Sequence, residues 1–333
     1  MSALLASAPA GVTFRAFEPD RDYPAAASLV CEGHLHDHVD WLPTAAVLRH
    51  EFEHSTNFRP AVDGLVAERD GAMVGLATSE WRVRGAKVVH HMEVWVLPSE
   101  RRHGVGDALV ARVEAHEIDR VTHGDGGPVD LPHEIGGWGN EHVPGPAQLA
   151  ARRGYRVVRY GMEMRRPVSD PIPEVTLPDG LEVRPVRPED HRRIWDADVE
   201  AFRDHWEATE RTEADFEGWF TRPSLDTTLW QAAWAGDEVA GAILTSLDAE
   251  ENARLGVSRA WLDHISVRRP WRRRGVAASL IASTLHLLRA RGIEEAALGV
   301  DAENPSGAVR LYERMGFRRF QTGISYRKDL PRS

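Results

Sequence analysis

The sequence predicts an α+β protein built from two tandem domains, each a mixed β-sheet with helices on both faces. Three observations predict it. The first is a module that occurs twice: an apolar strand runs into a basic, glycine-containing turn that opens a helix. One copy is Met92-Glu-Val-Trp-Val96 followed by Arg101-Arg-His-Gly-Val-Gly106, with Leu109, Val110 and Val113 on the helix. The other is Trp261-Leu-Asp-His-Ile-Ser-Val267 followed by Arg272-Arg-Arg-Gly-Val-Ala277, with Leu280, Ile281, Thr284, Leu285 and Leu288 at helical spacing. The second observation is that further landmarks recur in the same order at nearly constant separation. Phe14-Arg matches Val183-Arg, Gly75 matches Gly241, and Gly154-Tyr155 matches Gly316-Phe317. A period this long marks duplicated domains rather than a solenoid. The third is the segment Arg166-Pro-Val-Ser-Asp-Pro-Ile-Pro173 through Gly180, whose prolines and glycine read as a semi-rigid linker. The expected domains are residues 12–166 and 181–330, joined by 167–180 and preceded by a disordered leader, 1–11.

Each half reads as strand, helical region, strand pair, strand, helix, strand, helix, strand. In the second half Leu181 to Val186 is an expected strand, and Glu189 to Phe220 is one or two helices opened by Pro188-Glu-Asp. Leu229 to Trp234 and Glu238 to Ser246 form a hairpin about Gly236-Asp237. Trp261 to Val267 is the central strand. The helix from Val276 to Arg291 stops at Gly292, a favourable C-terminal residue. Ala296 to Val300 is a strand, Ser306 to Met315 a helix, and Phe317 to Tyr326 the closing strand.

A helix N-terminus presents backbone N–H groups without intrahelical partners and a partial positive charge. Gly275 and Ala277 keep the turn nearly bare of side chains, and Arg272, Arg273 and Arg274 surround it with charge. The turn is an anion cradle, and a diphosphate is the guest it suits.

A chain of 333 residues accommodates about two domains. Its net charge of −10 argues against general nucleic-acid binding. Cys31 is the single cysteine, so no internal disulfide can form and the cytoplasm is the expected compartment. No apolar run reaches membrane-spanning length. The alanine-rich leader lacks the basic start of a signal peptide.

The second half resembles the GNAT superfamily of acetyl-CoA-dependent N-acetyltransferases. Arg272-x-x-Gly275-x-Ala277 is similar to that family's pyrophosphate loop. Val300-Asp-Ala-Glu-Asn304 through Gly307-Ala308-Val-Arg-Leu-Tyr312-Glu-Arg-Met-Gly316-Phe317 is similar to its second coenzyme A motif. The tandem arrangement resembles the architecture of two-domain actinobacterial members. The resemblance implies a sheet in which two adjacent strands splay apart and the thioester of acetyl-CoA lies in the gap. It implies coenzyme contacts from Ile265, Ser266, Val267, Arg272, Arg273, Arg274, Gly275, Val276, Ala277, Asn304, Ala308 and Tyr312. Tyr312 is the implied acid for the departing thiolate. Many relatives carry a carboxylate on the central strand. Trp261, Asp263 and Ile265 share a face by alternation if no bulge intervenes, so Asp263 is the leading base. His264 is the alternative if a bulge turns the strand, and a water relay is the third option, because Trp261 stands where relatives often place a glutamate.

In the first half the same likeness implies contacts from Val94, Val96, Arg101, Arg102, Gly104, Val105 and Gly106. Leu149-Ala150-Ala151-Arg152-Arg153-Gly154-Tyr155 aligns with Leu311 to Phe317, so Ala150 stands where the acid tyrosine would be. The expectation is a first half that keeps the fold and has lost catalysis.

His34, His36, His38, His50, His54, His90 and His91 are expected to be ordinary polar histidines rather than metal ligands. The acidic run from Asp196, Asp198 and Glu200 through Asp204 to Glu217 reads mostly as a solvated helix face. One or two of its members, with His205 and Trp206, are candidates for the wall of a cationic acceptor site. The leading functional expectation is acetyl transfer to a primary amine of a small molecule, by a monomer or homodimer. The alternatives are a coenzyme-binding regulatory or scaffold protein and an acetyltransferase for protein or peptide N-termini.

Overall fold

The computed structural model describes residues 8–304 and 307–331. The start of the leader, residues 1–7, lies outside them, as do Pro305 and Ser306 of the second motif. In chain order the elements are β1 (Val12–Ala16), α1 (Pro19–Asp37), α2 (Ala45–His54), α3 (Pro60–Asp63), β2 (Gly64–Arg69), β3 (Ala72–Arg84), β4 (Lys87–Val96), α4 (Val105–His123), β5 (His133–Asn140), α5 (Pro144–Arg152) and β6 (Arg156–Pro167). The second half supplies β7 (Glu182–Arg184), α6 (His191–Phe202), α7 (Glu213–Phe220), β8 (Gln231–Ala235), β9 (Glu238–Ser246), α8 (Ala249–Leu255), β10 (Arg259–Val267), α9 (Val276–Ala290), β11 (Glu295–Asp301), α10 (Ala308–Arg314) and β12 (Arg318–Asp329). The order matches the sequence reading, with α8 as an addition. Asp248 caps α8 by accepting from the Glu251 N–H, and Gly256 ends it in the left-handed region.

The chain packs as two compact units. The first comprises residues 1–158, 212–223 and 324–333, the second 159–211 and 224–323. They therefore divide the chain differently from the sequence repeat. The first unit takes α7 and the end of β12 from the second half, and the second takes most of β6 from the first.

In the first unit the strand order is β1-β2-β3-β4-β5 and then β12. All neighbours from β1 to β4 are antiparallel, and β4–β5 is parallel. One face carries a core of Val105, Leu109, Val110 and Val113 from α4 against Ala77, Ile135 and Tyr326. The other carries Tyr23, Leu29, Val30, Leu48 and Phe52 from α1 and α2 against Val66 and Leu76. The β12 backbone lies so close to β5 that a Cβ on Gly136 would collide with the Tyr326 carbonyl. α7 lies on α2: His50 Nε2 is 2.9 Å from the Gly218 carbonyl, and Arg82 donates to Asp215 at 2.9 Å.

In the second unit the order is β6-β11-β10-β9-β8-β7, and β10–β11 is the parallel pair. Leu280, Ile281, Leu285 and Leu288 of α9 pack with Ala240, Ile243, Leu262 and Leu298. α6 packs against β9 and β10. Each unit is thus a mixed sheet with helices on both faces. α9 ends as the sequence predicts. The Ile293 N–H reaches the Leu288 carbonyl and the Gly292 N–H the Arg289 carbonyl, with Gly292 at φ +74°. The segment after β6 is pinned rather than loose: Arg289 donates to the carbonyls of Val168 and Asp170. No helix among the described residues is long and apolar enough to cross a membrane.

Candidate active site

The gap between the parallel strands forms in both units. β10 pairs with β11 only from Arg259 to Trp261, and β4 pairs with β5 only from Val88 to His91. Beyond these residues the strands separate. The Arg268 N–H donates to the Ala240 carbonyl on β9. An antiparallel ladder bonds every second residue. That alternation turns Ser266 and His264 toward β9 and directs the backbone polar groups of Ile265 and Val267 into the gap. The Leu97 N–H donates to Val74 in the first unit, and the same alternation directs Val94 and Val96 into its gap.

The two basic turns agree in backbone detail. Gly275 sits at φ +92° immediately before α9, and Gly104 at φ +87° immediately before α4. Two residues earlier, Arg273 and Arg102 also adopt positive φ, at 60° and 65°. A non-glycine residue tolerates that region only where the surroundings impose it. The brace is the preceding arginine. Arg272 Nε donates to the Val267 carbonyl at 2.9 Å and its guanidinium pairs with Asp204 at 2.7 Å. Arg101 Nε donates to Val96 at 3.1 Å and pairs with Asp37 at 2.6 Å. Hydrogen bonds from Arg269 and Arg272 hold the Asp204 carboxyl well below its usual range. Arg273 and Arg274 are exposed at the turn, as is Arg102. A Cβ on Gly275 would meet nothing within 4 Å. The turn is therefore clear of side chains at Gly275, where α9 begins with its first N–H groups lacking intrahelical partners. That is the arrangement a diphosphate requires.

The central strand corrects the expected side-chain alternation. Leu262 pairs with Thr245 and His264 with Leu244, so Asp263 is the extra residue of a β-bulge. Asp263 is exposed. Beyond the bulge Ile265 and Val267 join Leu262 in the core beneath α9, so Trp261, Asp263 and Ile265 do not form one continuous face. His264 turns to the α6 side, where its Nδ1 lies 2.7 Å from Oδ2 of Asp198. The Phe202 ring lies 4.9 Å from the His264 ring and 4.2 Å from that of His205. Burial holds the His205 imidazole below its ordinary pKa.

Asp198 departs from the solvated face expected of the acidic run. Its side chain is 0% exposed, and Arg211 donates to Oδ2 at 3.2 Å. Burial would raise its pKa, yet His264 and Arg211 outweigh burial and hold it below the ordinary carboxylate range. Asp204 and Glu200 also leave the solvated category, pairing with Arg272 and Arg268. Trp206 receives the Arg159 guanidinium at 5.2 Å over its ring. Arg159 is itself held by Asp301 at 2.6 Å.

Tyr312 is buried on α10, and burial pushes its phenol up to about 12. It remains protonated throughout the neutral range. Its carbonyl accepts from the Phe317 N–H at 2.9 Å, with Gly316 at φ +87°. The Ala150 carbonyl accepts from the Tyr155 N–H at 2.9 Å, with Gly154 at φ +78°. Ala150 therefore occupies the backbone position of Tyr312. Asn304 donates its N–H to the Asp301 carbonyl at the end of β11, and Ala308 begins α10.

Two of the histidines singled out in the sequence are held by short contacts within the first unit. His34 Nδ1 is 2.7 Å from the Trp41 carbonyl, and His90 Nδ1 is 2.5 Å from Glu117. Among the described residues no group of three His, Cys, Asp or Glu side chains converges as metal ligands.

The Acetyltransferase (GNAT) family matches the chain twice, at residues 30–122 and 191–317. A mycothiol acetyltransferase of Geodermatophilus obscurus is 30% identical over 270 residues, which span 80% of this chain and 82% of the relative. A mycothiol acetyltransferase of Salinispora tropica is 33% identical over 71% of this chain and 72% of its own. Among solved structures, a GCN5-related N-acetyltransferase from Sphaerobacter thermophilus aligns with a TM-score of 0.72 at 26% identity, covering 97% of both chains. A tandem GNAT protein from the clavulanic acid biosynthesis pathway shares the fold, with a TM-score of 0.66 at 16% identity over 97% of this chain and 99% of that one.

Proposed function

From the premise that the chain belongs to the GNAT acetyltransferase family, as an N-acetyltransferase of tandem architecture, we propose that it transfers the acetyl group of acetyl-CoA to a primary amine of a small molecule, with the chemistry in the C-terminal domain, residues 181–330. The observation that carries this reading is the bulge at Asp263, which turns the His264 side chain to the α6 side, against buried Asp198, on the strand whose next residue, Ile265, borders the gap.

The residues fit the coenzyme. The clear space at Gly275, the α9 N-terminus and exposed Arg273 and Arg274 suit the diphosphate, and the gap beside Ile265 and Val267 suits the pantetheine arm. Bound there, acetyl-CoA supplies an activated thioester. Unpaired N–H groups in the gap polarise its carbonyl. His264 accepts the amine proton at Nε2, because a carboxylate only accepts hydrogen bonds and its contact with Nδ1 places the ring proton there. The Tyr312 hydroxyl donates to the departing sulfur. Asn304 and Ala308 contact the coenzyme arm. Small-molecule acceptors are named for the mycothiol acetyltransferase relatives, and that supports the same acceptor class here.

The first unit holds coenzyme through Val94, Val96, Arg102, Gly104, Val105 and Gly106 without turning it over. Arg101 braces that turn as Arg272 does the other. The support is a matching turn with Ala150 in the place of Tyr312.

The test is thiol release from acetyl-CoA by purified protein across a panel of amines, with product mass. Amine-dependent release is expected. His264→Gln and Tyr312→Phe should each slow it by roughly 100-fold. No release with any amine, or full rates in both variants, overturns the reading.

A further inference from the structure

We propose that Asp198 is the positioning residue of His264: a buried carboxylate that holds the imidazole in the Nδ1–H tautomer and stabilises the imidazolium formed when the amine gives up its proton. The proposal rests on the reading of His264 as base.

Three observations carry it. The Nδ1 to Oδ2 distance of 2.7 Å is that of a charge-assisted hydrogen bond. Asp198 is fully buried, although the helix that bears it is otherwise strongly charged. Burying a carboxylate is costly unless it is paired, and a structural role would call for all its oxygens to be satisfied. Here Oδ2 receives both His264 and Arg211, while Oδ1 has no hydrogen-bond partner among the described residues. Arg211 and the Ser266 hydroxyl also act on the carboxylate, and the shortest of its contacts is the one to His264.

The alternative arrangement in the first unit supports the assignment. Counting back from the matching turns, Glu93 on β4 stands in the place of His264. Counting back from Asp37 and Asp204, Cys31 stands in the place of Asp198. Cys31 Sγ contacts the Pro43 carbonyl at 3.3 Å. The histidine and its buried carboxylate are thus absent together from the unit that also lacks the tyrosine.

The charged and titratable groups around the pair are Arg211 beside Asp198, His205 stacked on Phe202, Asp263 next in sequence, and Asp301 and Arg272 acting on His205. Burial holds the His205 imidazole below its ordinary pKa.

The experiment compares the full-length protein with Asp198→Asn, His264→Gln and the double variant, in kinetics and in ¹⁵N NMR of the His264 ring. The wild-type ring should show a protonated Nδ1 and an unprotonated Nε2. Asp198→Asn should lower kcat by about 100-fold with the KM for acetyl-CoA unchanged, because the residue acts on the proton-transfer step and not on coenzyme binding. In the His264→Gln background the same change should cost nothing further, since Asp198 acts only through His264. An Nε2–H tautomer in the wild type overturns the proposal, even if Asp198→Asn fails to fold. So does a multiplicative loss in the double variant, or a loss in the single variant that falls on the KM for acetyl-CoA and leaves kcat unchanged. If the wild type acetylates no amine, the proposed function falls, while the ring spectrum still decides the tautomer.

Discussion

Arg101 and Arg272 do the same work in the two units: each ties the end of the central strand to an aspartate at or just past the end of the facing helix. Arg272 joins the Val267 carbonyl to Asp204, and Arg101 joins Val96 to Asp37. The arginines that open the basic motifs therefore brace the turn, and Arg273 and Arg274 stand exposed beside it. Arg273→Ala with Arg274→Ala should raise the KM for acetyl-CoA roughly tenfold while leaving Tm unchanged, the scale of one lost charge-assisted contact. Arg272→Ala should raise KM and also lower Tm. Thermal melts beside initial rates separate the two, and equal effects on Tm would contradict the assignment.

Gly275 at φ +92° and Gly104 at φ +87° allow a direct comparison of the two cradles. A valine at either site is strained in the left-handed region, by about 1–2 kcal/mol, and fills the space an anion would use. Calorimetry with acetyl-CoA should find two sites per chain in the wild type and one in either variant. Gly275→Val should abolish turnover, whereas Gly104→Val should retain it. Loss of activity in Gly104→Val with normal folding would place chemistry in the first unit.

The first unit encloses a charged network in its core. Glu117 is 0% exposed and receives His90 at 2.5 Å, Ser79 at 2.5 Å and Arg120 at 3.2 Å, while Arg120 also meets buried Asp63 at 3.2 Å. Removing one partner strands the others without compensation, so Glu117→Leu should cost about 3–5 kcal/mol in urea unfolding. Burial would raise the Glu117 and Asp63 carboxyls, but their histidine and arginine partners hold both below their ordinary values. A depressed native pKa gives stability that is complete above the unfolded value and is lost as pH falls through the native one. Wild-type stability should therefore hold above about pH 5 and decline below about 4, and Glu117→Gln should flatten that decline. A variant with wild-type acid sensitivity would show that the network is not its source.

What the sequence made legible was local. Gly104 and Gly275 announce their turns because few other residues accept that backbone, and Gly292 ends its helix for the same reason. Asp198 was hidden among carboxylates that look alike in sequence; only tertiary packing separates it from Asp196, which is exposed. The bulge at Asp263 was equally silent, because one extra residue in a strand leaves the composition unchanged while it reverses every later side chain. The pairing of β12 with β5 was hidden for a third reason. β6 and β12 close equivalent halves with similar apolar patterns, so local sequence does not say which sheet each joins.

That pairing predicts how the chain responds to truncation. A cut at residue 180 would yield a first domain by the sequence repeat, but the compact unit also contains residues 212–223 and 324–333. The cut removes Tyr326 from the core, Lys328 from its 3.1 Å contact with Glu114, the Leu330 N–H from the His133 carbonyl, and α7 from α2. It leaves β5 as an unpaired edge, which invites association with other chains. Fragment 1–180 should elute as aggregate or unfold without a cooperative urea transition. Adding residues 318–331 through a flexible linker should restore a monomeric, cooperative species by re-covering β5. A fragment 1–180 that is monomeric and melts cooperatively would show that the first unit closes without β12.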